Sequence, residues 1–142
     1  MKRFIVTALF MSLLFTLSAC GSTPEVKQVN DQEAVKVLDS KKGVLFYVYD
    51  HEDYKEYEMY LRNAVDKTKE TINVFVGRDS EATGKDEGSI ENEFEKRIKN
   101  DSIDTNYIYI IKSGEVTDKL NVDDYYEGEL SEALKDFIER NK

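Results

Sequence analysis

From residue 25 onward the chain alternates short apolar runs with amphipathic stretches. "EVKQV" (25–29) alternates weakly and reads as a brief edge strand. Asn30 is placed to cap the helix that follows, with Glu33 three residues later completing a capping box. Ala34, Val35 and Leu38 give that helix its apolar face, and Gly43 after "DSKK" is expected to stop it. "VLFYVY" (44–49) has no polar face, the signature of a strand covered on both sides. Tyr54, Tyr57, Leu61, Ala64, Val65 and Thr68 then fall on one helical stripe, and "TINVFVG" (71–77) is a second apolar strand. Strand, helix and strand in so short a span make a βαβ crossover with parallel pairing. The polar segment 78–89 reads as a loop that ends at Ser89, a cap for a helix carrying Ile90, Phe94 and Ile98. "NYIYIIKSGEVTDKL" is a hairpin turning at Gly114, and "SEALKDFIERNK" is a closing helix with Ala133, Leu134, Phe137 and Ile138 inward. The predicted order is β-α-β-α-β-α-β-β-α, an α/β domain with a mixed central sheet flanked by helices.

The first twenty residues break this pattern. Lys2 and Arg3 precede an uncharged apolar run at 4–17, and "LSAC" closes the segment at Cys20. The run is short for a membrane span and suits a secretory signal. This order of basic start, apolar core and L-S-A-C resembles the signal and lipobox of bacterial lipoproteins. The resemblance implies cleavage after residue 19, diacylation of Cys20 at sulfur, and residence on the outer face of a cell membrane. Two acyl chains suffice for durable anchoring where one is marginal. The alternative is an ordinary secretory signal that happens to end near a cysteine. The division that follows is 1–19 leader, 20–27 lipidated N-terminus and tether, and 28–142 folded domain. The wealth of Lys, Asn, Ile and Tyr points to a low-GC Gram-positive source.

Charge narrows the partners. The chain carries a net charge of −9, and losing Lys2 and Arg3 with the leader takes it to −11. Such a surface repels nucleic acid. It also disfavours lying flat on anionic lipid, so the domain is expected to stand off its anchor. Cys20 is the only cysteine, so no intrachain disulfide is available and the core must hold the domain together.

The element order resembles the thioredoxin fold over about residues 25–142. "VLFYVYD" running into a helix is similar to the thioredoxin strand that leads to the active-site helix. "SIDTNYIYIIKSGEV" is similar to that family's S-I-P-T region and N-G-E-V turn, and "GELSEALKDFIERN" to its closing helix. Where the family carries its cysteine pair, this chain has "DYKE" (53–56). Tyr47 stands where the family has a buried carboxylate, and Thr105 or Asn106 where it has a cis-proline. A cis bond without proline costs about 2.5–4 kcal/mol. The resemblance therefore implies the fold without thiol–disulfide exchange, and neither an enzyme nor a cofactor is expected.

Two features remain as candidate chemistry. The acidic knot Asp50, His51, Glu52 and Asp53 at a helix start is explained by capping and the helix dipole; a metal or small-ligand site there is the alternative reading. His51, the sole histidine, is a conceivable general base, but no nucleophile motif accompanies it. The tyrosines are the second feature. Tyr47 with Tyr49, and Tyr107 with Tyr109, share strand faces; Tyr54, Tyr57 and Tyr60 lie on one helix; Tyr125 and Tyr126 precede the last one. Tyrosine offers rigid contact area with a hydrogen bond. By the thioredoxin resemblance, Asp53, Tyr54, Tyr57 and Asn106 flank the substrate groove and are the candidate partner-binding residues. The expectation is a lipid-anchored accessory module that binds another protein at the cell surface. Secretion, bacteriocin export or conjugation systems are settings for such a module.

Overall fold

The computed structural model describes residues 23–80, 89–98 and 102–142. The leader, Cys20 and most of the polar loop predicted at 78–89 lie outside the described residues. In chain order the elements are β1 (Val26–Val29), α1 (Asp31–Leu38), β2 (Lys42–Val48), α2 (His51–Thr68), β3 (Ile72–Val76), α3 (Ile90–Glu95), β4 (Tyr107–Lys112), β5 (Glu115–Asn121) and α4 (Glu127–Arg140). They form an α/β domain around one five-stranded mixed sheet, ordered β1-β3-β2-β4-β5. β1, β3 and β2 run parallel, while β4 runs antiparallel to both β2 and β5.

The absence of a polar face on β2 is explained by helices on both sides of it. On one face Leu61, Ala64 and Val65 of α2 and Leu130, Leu134 and Phe137 of α4 cover Phe46, Val48, Val74 and Ile108. On the other, Ala34 and Leu38 of α1 and Ile90 and Phe94 of α3 cover Leu45, Tyr47, Phe75 and Tyr109. Phe46 and Tyr109 are fully buried at the centre of these two layers.

Local signals set the helix starts. The Asn30 side chain accepts from the Glu33 amide at 2.9 Å, and the Glu33 carboxylate accepts from the Asn30 amide at 3.3 Å, a complete capping box. Asp50 accepts from the amides of Glu52 (2.9 Å) and Asp53 (3.0 Å), and Ser89 from that of Asn92 (3.2 Å).

Several expectations are corrected. α1 ends at Leu38 with Asp39 as its cap, and Gly43 lies inside β2 rather than stopping the helix. A Cβ at Gly43 would come within 2.9 Å of both the Ser40 hydroxyl and a Val37 methyl, so the glycine makes room for the end of α1 against the sheet. Val26 and Lys27, assigned to the tether, are paired into the sheet opposite Ile72 and Asn73. β2 stops at Val48, so Tyr49 does not share a strand face with Tyr47: it is 55 % exposed, whereas Tyr47 is buried.

α2 ends at Lys69, whose φ of 61° is left-handed and whose amide donates to the Val65 carbonyl at 2.8 Å. Glycine is the residue that takes this conformation without strain. Lys69→Gly is expected to raise stability by about 0.5–1 kcal/mol, read as a higher urea midpoint at unchanged slope.

Candidate functional site

Helices here run back along the strands they follow, so the C-terminal ends of β2, β3 and β5 gather at one end of the sheet with the starts of α2 and α4. Open α/β sheets bind ligands at this end. The acidic knot and the candidate partner-binding residues all lie there.

Asp50 is the N-cap of α2. The amide of Asp53, and then that of Glu52, hold its carboxyl below the usual carboxylate range, aided by the Arg78 guanidinium at 3.5 Å. His51 Nε2 lies 2.6 Å from an Asp79 carboxylate oxygen. The Arg78 side chain also sits over the Tyr49 ring, 5.8 Å from its centroid. Asp50 and His51 are thus engaged in capping and in pairs with the turn after β3. Among the described residues no group of three or more His, Cys, Asp or Glu side chains is placed to hold a metal ion. α2 begins at His51, so the "DYKE" window at 53–56 lies within the first turns of the helix, beyond its cap at Asp50.

Of the four candidate partner-binding residues, the structure joins two. Tyr57 donates its hydroxyl to one carboxylate oxygen of Asp123, and Asn106 Nδ2 donates to the other at 3.0 Å. Tyr57 in turn meets Phe46 edge-on, with ring centroids 5.6 Å apart. Asn106 has a φ of 64°, which asparagine tolerates better than most residues. Its amide donates to the Tyr47 carbonyl at 2.8 Å, and its carbonyl accepts from Val122 at 2.9 Å, so it pins the end of β2 to the end of β5. Its side-chain oxygen is buried without a hydrogen-bond partner among the described residues.

Tyr54 is corrected. It is 6 % exposed and packs into the core, because the cap at Asp50 sets a helix phase that turns Tyr54, Leu61 and Val65 to the sheet. It is unavailable to a partner. Asp53, half-buried, stays at the rim of this end. The large apolar surface is supplied instead by Tyr49, Tyr125 (37 % exposed) and Tyr126 (84 % exposed), beside the exposed acids Glu52, Asp124 and Glu127. Tyr47, expected in place of a carboxylate, is buried under Gly77: a Cβ there would meet its hydroxyl at 2.8 Å.

Asp123 was not among the expected site residues. Its local signal is "NVDD", where the Asn121 side chain accepts from the Asp123 amide at 3.1 Å and forms a turn. Its contact with Tyr57 spans 66 positions and leaves no trace in the sequence.

Burial, and then the Asp123 bond and charge, push the Tyr57 phenol well above its ordinary value. Above about pH 10, where an unfolded tyrosine ionises, the folded chain still holds this proton. Tyr57 therefore contributes stability that is full below that pH and is lost as pH rises through the folded value. Asp123→Asn is expected to lower the Tyr57 value toward the ordinary one, measured by ultraviolet titration of phenolate absorbance.

Fold and site together define an α/β domain with one acidic, tyrosine-bearing end. No protein-family model and no curated protein matches the chain. No helix among the described residues is long and apolar enough to cross a membrane.

Proposed function

We propose that the chain is a lipoprotein of the thioredoxin-like superfamily, anchored through Cys20 on the extracytoplasmic face of a cell membrane, which acts by binding another protein and carries no thiol redox activity. The observation that carries this reading is the composition of the end where β2 meets α2. A thioredoxin places its cysteine pair at this junction. Here that junction is capped by Asp50 and carries no cysteine, and the same end of the sheet exposes Tyr49, Tyr125 and Tyr126. The strand order and the two-sided helix cover are compatible with that fold.

Rigid aromatic side chains ringed by acids are suited to contact with a protein surface that brings apolar area and positive charge. The partner-facing residues on this reading are Asp53, Tyr49, Tyr125 and Tyr126. Tyr57, Asp123 and Asn106 act behind them by fixing the turn that leads into α4. The rival reading, a metal or small ligand held by residues 50–53, has less support because Asp50 and His51 are committed to helix amides, Arg78 and Asp79.

Affinity isolation of the full chain from native membranes tests the proposal. A stoichiometric partner retained by the parent chain and lost with Tyr49→Ala and Tyr126→Ala is expected. Repeated isolation of the chain alone would count against it.

A further inference from the structure

Each exposed tyrosine at the acidic end of the sheet has a carboxylate as its chain neighbour: Tyr49 precedes Asp50, Tyr125 follows Asp124 and Tyr126 precedes Glu127. Apart from Met59, these tyrosines are the exposed large apolar side chains among the described residues. Residues 123–129 are exposed without a break, so the units at Tyr125 and Tyr126 lie on one open segment. The Tyr57–Asp123 bond ties that segment to α2, whose cap, Asp50, belongs to the third unit.

Capping and the helix dipole account for Glu52, Asp53 and Glu127, which lie in the first turns of α2 and α4. They do not account for the exposed rings. One unit shows what the pairing accepts. The Arg78 guanidinium lies over the Tyr49 ring, 5.8 Å from its centroid, and 3.5 Å from an Asp50 carboxylate oxygen. A planar guanidinium stacks on a ring and pairs with a carboxylate at once, whereas a lysine ammonium is a hydrated point charge. The Arg78 side chain is 67 % exposed, and exposed pairs of this kind contribute little, so a second guanidinium can displace it.

The other two units are open. Among the described residues the rings of Tyr125 and Tyr126 make no stacking or cation contact, and Glu127 makes no salt bridge. The charge around them has one sign. Every charged residue in 121–129 is an acid, and in 49–56 Lys55 is the sole lysine or arginine. Glu33 and Asp104, at the same end, are already paired with Lys27 and Lys119.

We propose that the tyrosine-bearing end recognises arginine side chains of its protein partner: their guanidinium groups seat on Tyr125 and Tyr126 against the neighbouring carboxylates, and Arg78 occupies the Tyr49 unit as a built-in competitor. This inference rests on the protein-binding reading. It adds the side chain by which the partner is chosen and an internal contact that weakens binding at one of the units. The ring faces select arginine over lysine, whereas net charge alone attracts both alike.

The test measures binding of two fluorescein-labelled peptides to the full chain in a neutral detergent. One peptide carries arginines spaced by glycine and serine, and the other carries lysines at the same places. Fluorescence anisotropy at physiological salt is expected to give the arginine peptide about ten-fold the affinity of the lysine peptide. Tyr125→Leu with Tyr126→Leu keeps apolar area and removes the ring faces; it is expected to bring the arginine peptide down to the lysine level with the circular dichroism unchanged. Arg78→Ala and Lys55→Ala each remove one positive charge from this end. Arg78→Ala is expected to raise the arginine-peptide affinity about three-fold more than Lys55→Ala does. Equal affinity of the parent chain for the two peptides would overturn the recognition of arginine, and equal gains from the two alanine variants would overturn the role of Arg78. Failure here is distinct from failure of the protein-binding reading. A partner retained from membranes through Tyr49 and Tyr126, with no preference for arginine, sinks only this inference; a preference for arginine with no partner retained counts against that reading.

Discussion

Phe46→Ala is expected to lower the stability of the domain by about 3–5 kcal/mol, a large share of the 5–15 kcal/mol available to a typical domain. Phe46 is fully buried on the central strand β2, with Val74 beside it on β3 and Ile108 on β4. Helices α2 and α4 close over that face, so the cavity left by the ring has little freedom to collapse. The ring also meets Tyr57 edge-on, and Tyr57 carries the bond to Asp123. Loss of the phenylalanine should therefore loosen the turn before α4 as well as the core. Urea unfolding followed by circular dichroism gives the first effect. The second appears as a Tyr57 titration shifted down toward the ordinary tyrosine range. A loss below about 1 kcal/mol would mean that the two-sided cover of β2 is wrong.

The second large effect is on location. Cys20→Ala removes the only thiol in the chain and with it the proposed acceptor for a diacylglyceryl group. The expected result is loss of lipid labelling and failure of normal processing at residue 19, with the folded domain itself unchanged in its unfolding midpoint. Two acyl chains anchor durably and none does not, so a chain released from its leader by another route should leave the membrane fraction. Unchanged lipid labelling in the Cys20→Ala chain would remove the anchor from the account.

The parts of the fold legible in the sequence were those governed by near neighbours. The capping box at Asn30 and Glu33, the cap at Ser89, the unbroken apolar run of β2 and the stripe along α2 each depend on residues a few positions apart. Gly43 was misread because a glycine after a lysine pair resembles a helix stop. Its actual role, making room for Val37 and Ser40, exists only once α1 has folded onto the sheet. The candidate site was legible in its location and less so in its members. Tyr54 and Tyr57 lie three residues apart on one helix, yet the phase set by Asp50 buries the first and leaves the second at the edge, within reach of Asp123. Asp123 arrives from the far side of the β4–β5 hairpin, a contact that local pattern does not encode.

On the proposed reading the acidic knot at the start of α2 is structure that serves a contact surface: Asp50 caps the helix and pairs with Arg78, His51 pairs with Asp79, and Tyr49, Tyr125 and Tyr126 are exposed. Site-specific photo-cross-linking in intact cells tests this most directly, with the cross-linking residue placed in turn at Tyr49, Tyr126, Thr117 and Ser113. The account predicts one protein adduct of fixed size from Tyr49 and Tyr126, and none of that size from Thr117 on β5 or Ser113 in the turn between β4 and β5. Adducts from all positions alike, or from Thr117 and Ser113 alone, would contradict it.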